Sequence, residues 1–159
     1  MRDVELLRYS VLAAQREGNR LLTRALHDLR LTPAQSEALR ILGDHEPLTL
    51  TGLGEMLVCD SGSNPSRLVD RLVSAGLVER KPGTHDRRQV TLSLTPAGHA
   101  AESAVRRIES AFYAELDDAL HDVDLAPIIR LLGRLSEGSP AGRALARRFG
   151  EDAVAGSPG

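Results

Sequence analysis

Two neighbouring segments alternate apolar and polar residues, whereas apolar residues elsewhere in this chain recur every three or four positions. The two segments are residues 77–81 and 89–94, and the connection between them is mostly polar and includes a proline and a glycine. Successive side chains of a strand point to opposite faces, so this alternation predicts a β-hairpin. Because Arg87 and Arg88 lie in the connection, the tip of the hairpin is expected to be basic.

The helical spacing of the remaining apolar residues predicts a mainly α-helical chain around this hairpin. We expect helices over residues 4–29, 33–42, 50–57, from 61–64 to 75, 96–116 and 125–135, and a small terminal helix within 139–148. Oxygen-bearing side chains precede several helices, and we expect N-caps at Thr32, Thr49, Thr95 and Asp124. Gly43 is expected to end the second helix in the left-handed conformation, and Gly76 to end the fourth.

The composition is that of an ordinary globular chain of 159 residues, 42% apolar and 26% charged, and we expect one folding unit. No stretch approaches the roughly 20 apolar residues that span a bilayer, and the first residues lack a secretory signal, so a cytoplasmic protein without a membrane partner is expected. The single cysteine, Cys59, cannot form an intrachain disulfide, and the five histidines lack metal-ligand spacing. The sequence contains no recognisable nucleophile–base pair, paired carboxylates or phosphate loop, so neither catalysis nor a cofactor is expected.

The formal net charge is −2, but the charges are unevenly distributed. Residues 61–90 hold six basic and three acidic side chains, a net charge of +3, so the remainder carries −5. Binding to a polyanion depends on where positive charge lies rather than on its sum. The fourth helix and the hairpin are therefore the segments suited to nucleic acid. The low aromatic content of 3% disfavours single strands, which bind by stacking.

Short blocks from the second helix to the end of the hairpin sharpen this prediction: LTPAQ at 31–35, SRLVDRL at 66–72, GLVER at 76–80, DRR at 86–88 and LTPAG at 94–98. In order and spacing they resemble the MarR family, from the start of helix two through the recognition helix to the wing tip and wing exit. The resemblance implies a winged helix-turn-helix, mainly α with a small β-hairpin wing (α+β), with dimerisation helices at both termini. The chain departs from the family in the glycines of its third helix and in the turn-rich segment 59–65.

By this resemblance residues 1–150 form a single domain and residues 151–159 a disordered tail. The DNA-binding lobe is expected over residues 31–98, with dimerisation helices over 4–29 and 96–148. Two copies related by a two-fold axis would present their reading helices roughly 34–36 Å apart, about one DNA turn, which calls for a palindromic operator. The family further implies a homodimeric repressor that a small-molecule effector releases from DNA, and no residue identifies that effector.

The first turns of the fourth helix hold the expected base-reading residues. A helix in the major groove reads bases near its N-terminus, and the candidates there are Ser63, Asn64, Ser66, Arg67 and Arg71. Arg67 is suited to guanine and Asn64 to adenine, the serines to either base, whereas Arg71 is expected to contact phosphate. Asp70 shares this face and would repel phosphate, so its expected role is to orient an arginine. The alternative is a solvated charge network of Arg67, Asp70 and Arg71.

At the wing, Arg87 and Arg88 are expected to reach the minor groove, with Asp86 bracing one of them through a charge-assisted hydrogen bond. The alternative is an ordinary soluble turn. Cys59 is expected to be a small buried residue rather than a reactive thiol. Two rival functions stay open: a thiol- or metal-responsive transcriptional sensor, and a winged-helix module that binds a partner protein.

Overall fold

The computed structural model describes residues 2–59, 64–83, 86 and 88–150, so the predicted disordered tail lies outside the described residues. The fold is mainly helical, with one three-stranded antiparallel sheet. The helices are α1 (Asp3–Ala25), α2 (Pro33–His45), α3 (Leu50–Gly54), α4 (Pro65–Ser74), α5 (Pro96–Ala119), α6 (Leu125–Ser136) and α7 (Pro140–Phe149). The strands are β1 (Leu48–Thr49), β2 (Val78–Pro82) and β3 (Val90–Leu94). None of the described helices combines the length and the hydropathy needed to cross a membrane.

Side-chain caps begin the helices where the sequence predicts them. Thr32 Oγ1 accepts a hydrogen bond from the Gln35 backbone amide at 3.2 Å, and Gln35 Oε1 accepts one from the Thr32 amide at 2.9 Å, which completes a capping box. A first-turn amide likewise donates to the other three predicted caps, Thr49, Thr95 and Asp124. Because each cap satisfies an amide that the helix itself leaves unpaired, these residues set the starts of α2, α3, α5 and α6.

Helices α1 and α3 end three or four residues earlier than predicted. α1 ends at Ala25, and His27–Leu29 form a separate 3₁₀ turn, followed by Arg30 at a left-handed φ of 55°. α3 ends at Gly54 rather than near residue 57, as expected for a helix that contains two glycines. The sequence does not predict strand β1, whose two residues pair with β3 and add a third strand to the hairpin.

Gly43 marks a close approach of two helices rather than a helix end, so the prediction for this residue is wrong. It lies inside α2, which continues to His45. A Cβ at position 43 would lie 2.9 Å from side-chain carbons of Glu102. The glycine therefore leaves room for a side chain of α5 against α2.

The predicted hairpin is confirmed as β2 and β3, which pair antiparallel with Val78 opposite Leu94 and Pro82 opposite Val90. The order of strands in the sheet is β1-β3-β2. Gly76 follows α4 at a φ of 73°, as predicted, and this conformation turns the chain from the helix into β2. The hairpin thus begins almost immediately after α4.

One apolar core joins α2, α4 and the sheet. Its least exposed apolar side chains are Leu26, Leu39, Ile41, Leu42, Leu53, Val69, Leu72, Leu92 and Val105. In contrast, α1 and α6 contribute no buried residue, and their large apolar side chains are mostly solvent-exposed. The core therefore belongs chiefly to the central part of the chain, and the terminal helices leave apolar faces uncovered.

The exit from the sheet is held by the backbone at residues 76 and 77. The Thr95 amide donates to the Leu77 carbonyl at 3.1 Å, and the Thr95 hydroxyl donates to the Gly76 carbonyl at 2.6 Å. Gly98, in the first turn of α5, packs against the same Leu77 carbonyl. A Cβ at position 98 would lie 1.9 Å from that oxygen, and a backbone atom cannot rotate aside as a flexible side chain can.

Gly98→Ala is therefore expected to destabilise the fold by roughly 1–3 kcal/mol, the usual cost of overpacking that shifts the backbone. Urea unfolding followed by circular dichroism measures this change. Gly18→Ala, within α1, is the matched control, because apart from the adjacent residues and the backbone of α1 itself nothing lies within 4 Å of the added Cβ. It is expected to stabilise by about 0.5–1 kcal/mol, since alanine is the better helix former. Equal unfolding midpoints for the two variants would contradict the close approach at Gly98.

Candidate nucleic-acid interface

The N-terminal end of α4 is exposed and carries most of the predicted recognition residues. Asn64 caps the helix, its Oδ1 accepting the Ser66 amide at 3.0 Å, and Pro65 occupies the first helical position. One face of the helix packs into the core through Leu68, Val69 and Leu72. The opposite face is exposed and presents Arg67, Asp70 and Arg71.

The cap changes what Asn64 can offer a base. Its carbonyl oxygen already accepts the Ser66 amide, so one of the two lone pairs on that oxygen is not available for a bidentate contact to adenine, which uses both ends of the side-chain amide. Ser66 is half-buried, and Ser63 lies outside the described residues. The outward-facing groups of α4 with full hydrogen-bonding capacity toward DNA are therefore arginines.

Asp70 orients an arginine, as predicted, but this arginine comes from the sheet. Arg80 Nη2, on β2, lies 2.5 Å from Asp70 Oδ1. Both side chains are well exposed, so the ion pair contributes at most about 1 kcal/mol to stability. Its main consequence is geometric, because it ties α4 to the first strand of the hairpin. It also offsets the negative charge of the Asp70 carboxylate, which lies on the same face as the two arginines of α4.

The tip of the hairpin is built on the backbone around Asp86. Asp86 Oδ1 accepts the backbone amide of Arg88 at 2.9 Å, and the Gln89 amide donates to the Asp86 carbonyl at 3.0 Å. The hydrogen bond predicted from Asp86 to one of the two arginines is therefore made to the main-chain amide of Arg88. Arg88 itself is exposed, and Arg87 lies outside the described residues.

Glu37, a carboxylate on the buried face of α2, was not among the residues predicted from the sequence. Its side chain is 5% exposed, and Oε1 accepts the Val58 amide at 2.9 Å while Oε2 accepts the Cys59 amide at 2.8 Å. Arg148, on α7, donates to the same Oε1 at 2.7 Å. Glu37 thus holds the chain just after α3, on the way to α4. The available signal was an acidic residue among the core-facing positions of an amphipathic helix.

A second charged cluster joins α2 to α5. Arg40 lies 2.8 Å from Glu102 and 3.0 Å from Glu109, and Arg106 pairs with Asp44 at 2.6 Å while also contacting Glu102. Desolvation acts in the opposite direction, but Arg106 and Arg40 hold the pKa of Asp44 below its usual value. Both glutamates are largely buried, so the arginines supply the charge that their burial requires. The cluster aligns two helices.

Cys59 is exposed, so the prediction of a small buried residue is wrong. Its thiol is nevertheless poorly suited to redox chemistry. Desolvation around the sulfur and the adjacent Glu37 carboxylate raise the pKa of the Cys59 thiol to about 12. Only the thiolate is an effective nucleophile, so this environment suppresses its reactivity near neutral pH. No group of three or more His, Cys, Asp or Glu side chains in the described part of the chain is placed to hold a metal.

The order of α2, α3, α4 and a hairpin places this chain among the winged helix-turn-helix proteins, the class that the sequence predicts. A sequence model described as the MarR family matches residues 31–90. The multiple antibiotic resistance protein MarR of Escherichia coli is 32% identical over 118 residues, which cover 74% of this chain and 81% of that protein. The chain therefore belongs to the MarR family of transcriptional regulators.

Two further comparisons agree with this assignment. The organic hydroperoxide resistance transcriptional regulator of Bacillus subtilis is 37% identical over 86 residues, 54% of this chain and 58% of that protein, so the match spans less than two thirds of the relative. Among solved structures, a mutant of E. coli MarR complexed with operator DNA has a TM-score of 0.72 at 29% identity, covering 84% of this chain and 95% of that one. The predicted fold is confirmed, and the chain is a DNA-binding transcriptional regulator.

The Cys59 thiol is expected to react with iodoacetamide at pH 8 at least about a hundredfold more slowly in the folded chain than in urea, where its pKa returns to about 8.5. With a pKa of about 12, only about one thiol in ten thousand is ionised at pH 8. Mass spectrometry of the alkylated fraction against time measures both rates. Because Cys59 is the only cysteine, the unfolded chain is its own control. Equal rates in the two states would contradict the raised pKa.

Proposed function

We propose that this regulator acts as a homodimer on a palindromic operator in double-stranded DNA and represses transcription until a small-molecule effector releases it. In this proposal residues 31–98 form the DNA-binding lobe, and the helices within 4–29 and 96–148 form the dimer. The protein acts in the cytoplasm and has no catalytic role or cofactor. The observation that carries the proposal is the exposure of Arg67 and Arg71 on α4, next to a hairpin that bears Arg88 at its tip.

Arg67 is the proposed base-reading residue. It lies in the first turn of α4 and is exposed, so its guanidinium can donate two parallel hydrogen bonds to a guanine edge. One such contact discriminates between bases by about 1–3 kcal/mol. Arg71, one turn further along, is proposed to contact a phosphate at the edge of the groove. Asp70 lies between them, but its charge is offset by Arg80, which reduces repulsion from the DNA backbone.

The wing is proposed to contact the minor groove through Arg88, and through Arg87 beside it in the sequence. Asp86 fixes the main chain at Arg88, so the side chain leaves the hairpin from a defined position. Narrow A-tract minor grooves concentrate negative potential, which attracts guanidinium groups without reading individual bases. The wing therefore supplies affinity more than specificity.

The apolar faces of the terminal helices support the dimer. α6 exposes Leu125, Ile128, Ile129, Leu131, Leu132 and Leu135, and α1 exposes Val4, Leu6, Val11, Leu12 and Leu21. Extended exposed apolar patches are rare on monomeric proteins, and full burial of one leucine contributes about 1.5–3 kcal/mol. Under two-fold symmetry a second copy presents the same faces, so each apolar face meets one of matching chemistry.

An apolar pocket between α1 and α5 supports the effector part of the proposal. It has a volume of about 280 Å³ and is lined by Leu21, Ala25, Ile108, Ala111, Phe112 and Glu115. Phe112 offers an aromatic wall and Glu115 a single polar group, a combination that suits a small, mostly apolar ligand. A ligand here would press on α5, whose first turn packs against the exit of the hairpin at Gly98.

The rival functions are less well supported. A thiol-responsive sensor needs a reactive cysteine, whereas the pKa of Cys59 is raised to about 12. A metal-responsive sensor needs a cluster of ligands, which the described residues do not provide. A winged-helix module that binds only proteins would ignore DNA sequence, so the DNA-binding measurement separates it from the proposed repressor.

Arg67→Ala is expected to reduce the preference for operator over random duplex by about tenfold, because it removes a base contact worth about 1–3 kcal/mol. Arg88→Ala is expected to weaken binding to both duplexes equally and to lower the slope of log affinity against log salt by about one. Fluorescence anisotropy measures both, with an operator first selected from genomic fragments.

Arg2→Ala is the matched control for these variants, since it removes the same charge from an exposed position before α1, outside α4, the wing and the proposed dimer helices. It should leave the operator preference unchanged. If the unmodified chain binds random and selected duplexes with equal affinity, the proposed function fails.

Leu132→Glu is expected to convert the dimer into a monomer and to weaken operator binding by about a hundredfold or more, because the two half-sites are then bound by separate chains rather than by one dimer. Leu132 is 41% exposed on the apolar face of α6. Sedimentation velocity measures the oligomeric state. Arg134→Glu introduces the same carboxylate on the polar side of α6 and should remain dimeric. A monomeric unmodified chain would contradict the dimer.

A further inference from the structure

The C-terminal helix α7 contacts the helix-turn-helix through two arginines. Arg148 lies 2.7 Å from Glu37 on α2, and Arg147 pairs with Glu55, the C-cap residue that follows α3. α7 lies beyond residues 31–90, the part matched by the family. The Arg147 contact lies at the start of the connection between α3 and α4, and the Arg148 contact reaches a carboxylate that binds this connection, although 92 and 111 residues of sequence separate the paired side chains.

The contact with Glu37 is the more buried of the two. The Glu37 carboxylate receives three donors, the amides of Val58 and Cys59 and the guanidinium of Arg148. Side-chain exposure is 5% for Glu37 and 20% for Arg148. Without the guanidinium, a nearly buried anion would be left with two neutral amides, and its charge would be poorly compensated. Arg148 therefore favours the arrangement in which Glu37 holds both amides.

These amides lie close to the start of α4. Cys59 is five residues before Asn64, which caps α4. The end of α3 also lies against α4, because a Cβ at Gly54 would be 3.1 Å from Pro65 Cγ. Arg147 contacts Glu55, the next residue after Gly54. The two α7 arginines thus contact Glu55, which adjoins the Gly54–Pro65 contact, and Glu37, which holds the Cys59 amide.

We propose that Arg148 is a positioning residue for DNA recognition: through Glu37 it holds the connection between α3 and α4, and so sets the placement of the base-reading turn of α4. This inference rests on the proposed function, because it assigns Arg148 to the specificity of the same interface. Arg148 contacts no DNA. α7 also packs against α6, so the contact links this connection to the helix proposed for dimerisation.

The test compares the full-length Arg148→Ala, Arg148→Lys and Arg2→Ala variants with the unmodified chain. Arg148→Ala is expected to reduce the preference for operator over random duplex by about tenfold, with affinity for random duplex changed no more than by Arg2→Ala. Amide hydrogen exchange measured by NMR is expected to become about tenfold faster at Val58 and Cys59. Arg148→Lys keeps the charge and one donor, so it should recover most of both properties. This conservative variant also keeps the test usable if Arg148→Ala folds poorly.

A merely structural Arg148 would change the thermal midpoint without changing the preference between the two duplexes. That result, or unchanged exchange at Val58 and Cys59 in Arg148→Ala, overturns this inference while leaving the DNA-binding proposal intact. An unmodified chain without operator preference overturns both. Selective loss of preference in Arg148→Ala, recovered in Arg148→Lys and absent in Arg2→Ala, supports the inference.

Discussion

The burial of one face of α4 is the constraint on which the proposed DNA interface depends. Val69 and Leu72 are fully buried and Leu68 nearly so. Burying side chains of this size contributes about 1.5–3 kcal/mol each. Because all three lie on one side of a helix, Arg67 and Arg71 on the other side must face solvent. The same burial thus fixes both the position of the helix and the direction of its basic residues.

Buried carboxylates fix the alignment of neighbouring helices, which apolar packing alone would leave variable. Glu37 joins α2, the connection after α3, and α7, whereas Glu102 and Glu109 join α5 to Arg40 of α2. Such pairs add little net stability, because desolvation offsets most of the attraction between the charges. Their hydrogen bonds are directional, however. They therefore favour one alignment of two packed helices, whereas apolar contacts allow several alignments.

Local signals predicted most of the architecture. The caps at Thr32, Thr49, Thr95 and Asp124, the hairpin and the turn at Gly76 all rest on interactions between residues a few positions apart, and the structure confirms them. Gly43 was misinterpreted because its neighbour, Glu102, is distant in sequence. Strand β1 escaped prediction because two residues carry no periodicity and pair only when β3 is beside them.

Periodicity, capping and charge are properties of short segments, so the class of fold, the helix starts and the basic character of α4 and the wing could be predicted from the sequence alone. The partners of the charged groups depend instead on tertiary packing: Asp70 pairs with Arg80, Asp86 binds the Arg88 amide, and Glu37 pairs with Arg148. Tertiary packing also raises the pKa of Cys59, through desolvation and the Glu37 carboxylate on α2. The physical reason is that a side chain's partners and solvation depend on which elements pack together, and that packing joins residues far apart in the chain.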